Sequence, residues 1–158
     1  MTFEELNALA EHAPAGSDGV IFLPYLNGAR SPDVDPRAKG MFIGLSLAHH
    51  RYHIARSTME GVIYSLRNTH ETLKSVMKSE PDRIIASGGG ARGQLILQME
   101  ADIIGKPVYT TIEAEQACIG VALTAAVGIG FYKSYSEACD NVIRFNSRVV
   151  EPIESNRN

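Results

Sequence analysis

The run Arg83, Ile84, Ile85, Ala86, Ser87, Gly88, Gly89, Gly90, Ala91, Arg92, Gly93 constrains the fold more than any other stretch of this chain. A short β-branched segment feeds straight into consecutive glycines, and an amphipathic segment over residues 94–104 follows. Strand, tight turn and helix in that order form the unit from which α/β sheets with crossover connections are built. Glycines at the junction leave no Cβ in the way of an approaching ligand. The helix behind them offers unpaired N–H groups and a positive dipole end, which suits a phosphate or the polar edge of a nucleotide.

Elements flanking this junction extend the same pattern. Thr2 and Glu5 make a capping box for a short helix carrying Phe3, Leu6 and Leu9, and the turn residues of 13–19 end it. Residues 20–23 read as a buried strand and 41–45 as a second one, with a Gly-, Pro- and Asp-rich loop over 27–40 between them. Met59, Val62, Ile63, Leu66, Leu73, Val76 and Met77 recur at three- and four-residue spacing, which predicts a helix over residues 51–78, stopped by Glu80-Pro81. After the glycine run come a helix over 94–104, a strand over 108–110, a helix over 115–130 and a short one over 136–142. The tail from residue 151 to 158 is polar and expected to fray.

The glycine loop has more than one reading. Gly88-x-Gly90-x-x-Gly93 satisfies a dinucleotide fingerprint, and Glu113 falls where a ribose-binding carboxylate belongs. That reading predicts a Rossmann-type NAD-binding module. A different nucleotide-binding α/β fold, or a turn that serves only structure, satisfies the same spacing. Composition narrows the field elsewhere. With 15 basic and 18 acidic residues scattered along 158 positions, no basic stripe forms for nucleic acid. No stretch is long and apolar enough to span a membrane, the N-terminus starts no signal peptide, and the cytoplasm is the expected location. Cys118 and Cys139 make neither a disulfide framework nor a zinc site, and Cys118 is expected to be a small buried residue.

A second segment separates the readings. Gly40-Met41-Phe42-Ile43-Gly44-Leu45, seven residues, then His53-Ile54-Ala55-Arg56-Ser57-Thr58-Met59-Glu60 resembles the second signature of the FGGY carbohydrate kinases at every defined position. Upstream, Phe22-Leu23-Pro24-Tyr25-Leu26-Asn27-Gly28-Ala29-Arg30-Ser31-Pro32, followed by Asp35-Pro36 and Gly40, is similar to the loop of xylulose-kinase-like members. Downstream, Gly88-Gly89-Gly90-Ala91-Arg92, then Gln98, Ala101-Asp102, Gly105 and Pro107-Val108, resembles the family's adenosine-binding segment, and the helix with Gly120-Val121-Ala122 resembles the one that follows. Ala29, Ile96 and Gly93 depart from the pattern, which often has glutamate, tryptophan, and Asn or Ser at those positions.

The resemblance implies an actin-like ATPase, ribonuclease-H-like α/β lobe, with residues 1–158 as a single partial domain, most of the C-terminal lobe of such a kinase. Its opening hairpin and the N-terminal lobe, with the sugar pocket and catalytic base, would lie outside this chain. It implies ATP or ADP as ligand, with Mg²⁺ in the intact enzyme, and transfer of the γ-phosphoryl group to a sugar hydroxyl. The sugar would be met only with the N-terminal lobe, and the chain alone would be inactive. The cofactor-binding residues implied are Gly88, Gly89, Gly90, Ala91, Arg92 and Gly93; the chain carries no catalytic residue and no metal ligand of its own. Glu113 then loses the ribose role. A non-catalytic interaction fragment, self-associating through uncovered sheet edges and apolar faces, is the further alternative.

The remaining candidates have plainer readings. His49-His50-x-x-His53 reads as a solvated helix start rather than a metal cluster, and Asp33-x-Asp35 as turn chemistry. Glu60 is either an organiser of the loop beneath the helix or a solvated helical carboxylate. Arg92 either reaches a ligand's base or phosphate or faces solvent. Ala117, Gly120, Thr124 and Gly128 make a stripe of small residues expected to serve close packing, with the N-terminal end of that helix bordering the site.

Overall fold

The computed structural model describes residues 2–78, 80–113 and 115–157. Helix α1 spans Phe3–Ala10 and begins with the expected capping box: Glu5 N–H donates to the Thr2 hydroxyl (3.2 Å) and Thr2 N–H donates to the Glu5 carboxylate (2.7 Å). Strand β1 (Ile21–Leu23) pairs antiparallel with β2 (Met41–Ile43), placing Phe22 opposite Phe42. The long helix α2 (Arg51–Met77) follows and ends where Lys78 turns left-handed. Strand β3 (Ile84–Ala86), helix α3 (Gln94–Ile104) and strand β4 (Val108–Thr110) make a parallel crossover unit with Ile85 opposite Tyr109. Helices α4 (Gln116–Gly128) and α5 (Tyr135–Val142) pack on each other, and the chain then returns along β4 through bridges at Phe145 and Val150.

Helix α3 sits at the centre because it is apolar on two sides. Met99, with Leu95, Ile96 and Ile103, joins α1 and α2 in a core around Ala10, Ala55, Met59 and Ile63. Leu97 and Ala101 face the other way, onto Ala86, Val108 and Val150. Two clusters sharing one helix therefore replace the single core expected of one continuous sheet.

Burial departs from the sequence expectation in several places, always because a face has no layer over it. In the first strand Phe22 is buried while Ile21 is exposed. On α2 the buried residues end at Ile63, and Val62, Leu66, Leu73, Val76 and Met77 of the apolar stripe are exposed. Cys118 is exposed rather than a small core residue. The small-residue stripe on α4 serves no packing among the described residues, since a Cβ added at Gly120 or Gly128 would meet nothing.

The tail corrects the expectation of fraying. Ile153 N–H and the Asn156 side-chain amide both donate to the Asp102 carboxylate at 2.7 Å, and Gln98 donates to it at 2.8 Å, so the tail is strapped to α3. Residue 158 of that expectation lies outside the described residues.

Two close approaches place α2 against β1 and the end of β2 against the turn that precedes β1. Gly61 lies so near Phe22 O that a Cβ there would overlap the carbonyl, and Gly44, at φ +85°, stands equally close to Gly19 O. Helix α3 carries one feature with a pH signature. Burial holds the Glu100 carboxyl above the ordinary carboxylate range, and its Oε2 is shut from solvent with no partner among the described residues. A carboxyl whose pKa is raised on folding stabilises the fold fully below its unfolded pKa, and that contribution is lost as pH rises through the folded value. Glu100→Gln is therefore expected to raise stability at pH 7 while leaving it nearly unchanged at pH 4. Urea melts at both pH values check this, and an equal gain at pH 4 would count against burial as the cause.

Candidate functional site

The glycine loop leaves β3 through Gly88, whose φ of 78° and ψ of −163° only glycine adopts without strain. Residues Gly89–Arg92 then make one 3₁₀ turn, closed by Ala91 N–H donating to Gly88 O (3.2 Å). Gly93 caps α3 from extended backbone (φ −90°, ψ 125°). No side chain caps α3 and no acidic residue stands in its first turn, so its amides keep their donor capacity toward the loop. The intervening 3₁₀ turn sets that helix end back from the strand, unlike the direct strand-to-helix turn that a dinucleotide fingerprint needs.

Space around the loop is arranged on two sides. Cβ atoms added at Gly88, Gly89 or Gly90 would meet nothing within 4 Å, so this backbone is open to a ligand. On one side a cavity of 390 Å³ lies between the loop and α1, lined by Phe3, Glu4, Asn7, Gly89, Gly90, Arg92, Gly93 and Ile96, with mostly apolar walls. On the other, a cavity of 190 Å³ brings Gly88, Ala91 and Arg92 together with Thr111, Glu113, Gln116 and Asn146. Arg92 borders both, is exposed, and has no hydrogen-bond or ion-pair partner among the described residues. Hydrogen bonds from its own backbone N–H and the Thr2 hydroxyl hold the Glu4 carboxyl below the usual range, so the mouth of the larger cavity carries a negative charge.

All six loop residues expected from the sequence thus stand together, and Gln116 brings the first turn of α4 to the same place. Gln98 and Asp102, part of the same sequence pattern, do not join them. They serve the tail instead. Glu4 and Asn7 escaped the sequence reading, and Phe3 entered it only as part of the apolar face it shares with Leu6 and Leu9.

The signature helix has a different task. Residues Gly16, Ser17, Asp18 and Gly19 are four consecutive left-handed residues, with φ of 80°, 50°, 51° and 89°. Glu60, 3% exposed, accepts from Gly16 N–H and Arg56 Nε on Oε1 and from the Ser17 hydroxyl on Oε2. Arg56 Nη1 donates to Ala13 O at 2.9 Å. Glu60 is therefore the organiser of the loop, and the solvated alternative is excluded. His53 is buried rather than solvated. Its Nδ1 accepts from His50 N–H (2.8 Å), which leaves Nε2 to donate to Asp18 Oδ2 (3.0 Å). His49 holds Ser46 N–H and Asp18 O in the same manner. Among the described residues no three His, Cys, Asp or Glu gather to hold a metal ion. At the second loop Asp35 Oδ1 accepts from Arg37 N–H (2.8 Å), the turn chemistry expected there. No helix among the described residues is long and apolar enough to cross a membrane.

Comparisons with known proteins point to one family. The C-terminal domain of the FGGY family of carbohydrate kinases matches residues 2–129. The chain is 36% identical over 143 residues to a xylulose kinase of Bacillus subtilis (strain 168), covering 90% of this chain and 28% of that protein. It is 34% identical to a gluconokinase of the same organism over 89% of this chain and 27% of that protein, and 35% identical to a glycerol kinase of Gloeobacter violaceus over 86% and 27%. Among solved structures it resembles ligand-bound xylulose kinase from Lactobacillus acidophilus (TM-score 0.87, 30% identity, 99% of this chain and 31% of that one). Gluconate kinase from the same organism is similar (TM-score 0.86, 30% identity, 99% and 31%). The chain spans less than a third of the length of these relatives. The fold is that of their actin-like α/β C-terminal domain, and the Rossmann-type NAD reading is set aside.

Proposed function

This chain belongs to the FGGY family of carbohydrate kinases, and on that premise we propose that it forms the adenosine-holding part of a cytoplasmic ATP-dependent sugar kinase of xylulose-kinase type. One observation carries the reading. Three consecutive glycines present open backbone between two cavities, with an unpaired guanidinium at the rim of both. Gly88, Gly89, Gly90, Ala91, Arg92 and Gly93 hold the nucleotide. The apolar cavity beside Phe3 and Ile96 suits a base, because an aromatic ring and aliphatic wall stack on a flat heterocycle. The ionised Glu4 at its mouth disfavours phosphates there and leaves Arg92 as the cation nearest the loop for them.

In phosphoryl transfer the protein contributes mainly position and charge stabilisation. Residues 1–158 act as one partial domain in this reading. The sugar pocket and the base that accepts the hydroxyl proton belong to the remaining length of such kinases. Mg²⁺ would supply positive charge to the nucleotide phosphates in the intact enzyme, and among the described residues no three His, Cys, Asp or Glu gather to hold it.

Calorimetric titration of the chain with ATP, ADP and NAD tests the reading, repeated with Gly89→Val. Residue 89 has no positive φ and faces open space, so the isopropyl group enters the cavity without straining the fold. Binding of ATP and ADP is expected in preference to NAD, with a loss of at least about tenfold in the valine variant. NAD preference, or silence with all three ligands, would overturn it for this chain.

A further inference from the structure

A polar cavity of 390 Å³ lies where the tail meets α2 and α3, and it shares no lining residue with the two cavities beside the glycine loop. Tyr64 and Arg67, one turn apart on α2, meet Asp102 of α3 and Glu154, Ser155 and Arg157 of the tail there. The carboxylates of this lining are already engaged. Asp102, 5% exposed, accepts from Gln98, Ile153 N–H and Asn156 on its two oxygens, and Glu154 pairs with Arg157 at 2.9 Å. The Arg67 guanidinium and the Tyr64 and Ser155 hydroxyls have no partner among the described residues. Burial and the neighbouring Glu60 carboxylate hold the Tyr64 phenol above its ordinary range, so it stays a donor at neutral pH; the Arg56 and Arg67 cations act the other way, which places Arg67 beside that hydroxyl. What this lining has left over is a set of donors and one unmatched cation.

We propose that this cavity binds a small organic monocarboxylate, with the carboxylate held by the Arg67 fork and by the Tyr64 and Ser155 hydroxyls. A planar guanidinium meets a carboxylate with two parallel charge-assisted bonds, a match that no neutral ligand offers it. The charges of Asp102 and Glu154 repel a second negative charge in the same space, which disfavours sulfate and the phosphate dianion. Ala15, Ile103 and the Tyr64 ring give the organic body of the ligand an apolar wall. Arg67 belongs to α2 and Ser155 to the tail, so a bound carboxylate ties the two together.

The test titrates the chain calorimetrically with sodium lactate and sodium sulfate, against sodium chloride at matched ionic strength. Lactate is expected to bind, and sulfate to bind at least about fivefold more weakly. Arg67→Gln should weaken lactate at least about tenfold, and Arg67→Lys, which keeps the charge and loses the fork, should fall between. Arg67 is exposed, so neither change removes a core contact, and circular dichroism checks that both variants fold. Hydrogen exchange supplies the local readout: lactate should slow the Ile153, Asn156 and Arg157 amides in the parent and leave them unchanged in Arg67→Gln. Lactate binding that survives Arg67→Gln, or that leaves the tail amides of the parent unchanged, overturns the assignment. Sulfate preferred to lactate overturns the monocarboxylate, and a parent chain that binds neither overturns the site; none of these results touches the nucleotide reading.

Discussion

Glu60→Ala is expected to lower stability by about 3–5 kcal/mol. The carboxylate and Arg56 are both buried, joined at 2.8 Å, so removing one leaves an uncompensated charge in a poorly solvated place. Gly16 N–H and the Ser17 hydroxyl lose their acceptor in the same step. Glu60→Gln keeps the shape and one acceptor and should cost less. Replacing both members of the pair with apolar residues, often harmless for a buried ion pair, should not rescue this one, because the Gly16 amide, Ser17 hydroxyl and Ala13 carbonyl would remain without partners. Urea denaturation midpoints at constant slope measure each loss. An alanine variant within about 1 kcal/mol of the parent would show that the clamp is not what holds this region.

Gly61→Ala is expected to reverse the usual sign of a glycine replacement. In the interior of an exposed helix that change gains about 1 kcal/mol through propensity. Here the new methyl group would overlap Phe22 O, a backbone atom held in β1, so α2 and β1 must separate. Overpacking typically costs about 1–3 kcal/mol, and overlap with a backbone carbonyl belongs at the upper end, so the net loss after the propensity gain is about 2 kcal/mol. The same melts decide the sign, with Gly128→Ala, which meets nothing on α4, as the reference that should gain. A gain at residue 61 equal to that at 128 would refute the close approach.

Where local chemistry dictates the element, the sequence was readable. The capping box placed α1, and three- and four-residue spacing placed α2. The loop from Gly88 to Gly93 was readable as the connection between a strand and a helix for the same reason. Burial was not, because it depends on which layer covers a face. Val76 and Met77 obey the helical period and are exposed all the same. Asn7 was illegible too. It lines the cavity beside Gly93, a residue on another element, and no local pattern in α1 points across that distance. Gln98 and Asp102 show the opposite case, in that a motif shared with the adenosine segment turned out to hold the tail.

The four left-handed residues at 16–19 bear on how this domain comes together. Ser17 and Asp18 each cost roughly 1–2 kcal/mol in that conformation, and the side-chain bonds that offset it come from Glu60, 43 positions after Ser17, and from His53, 35 positions after Asp18. Local backbone bonds close the turn, from Ser17 N–H to Pro14 O, Gly19 N–H to Gly16 O and Val20 N–H to Ser17 O, but its side-chain partners are all distant, so the bend is completed only when the first half of α2 arrives. Helix α1, the bend and the start of α2 consequently form and open as one cooperative block. The α1 wall of the base cavity is thus only as firm as a carboxylate that never touches the cavity, and a fluctuation that frees Glu60 would be felt at Phe3 and Asn7.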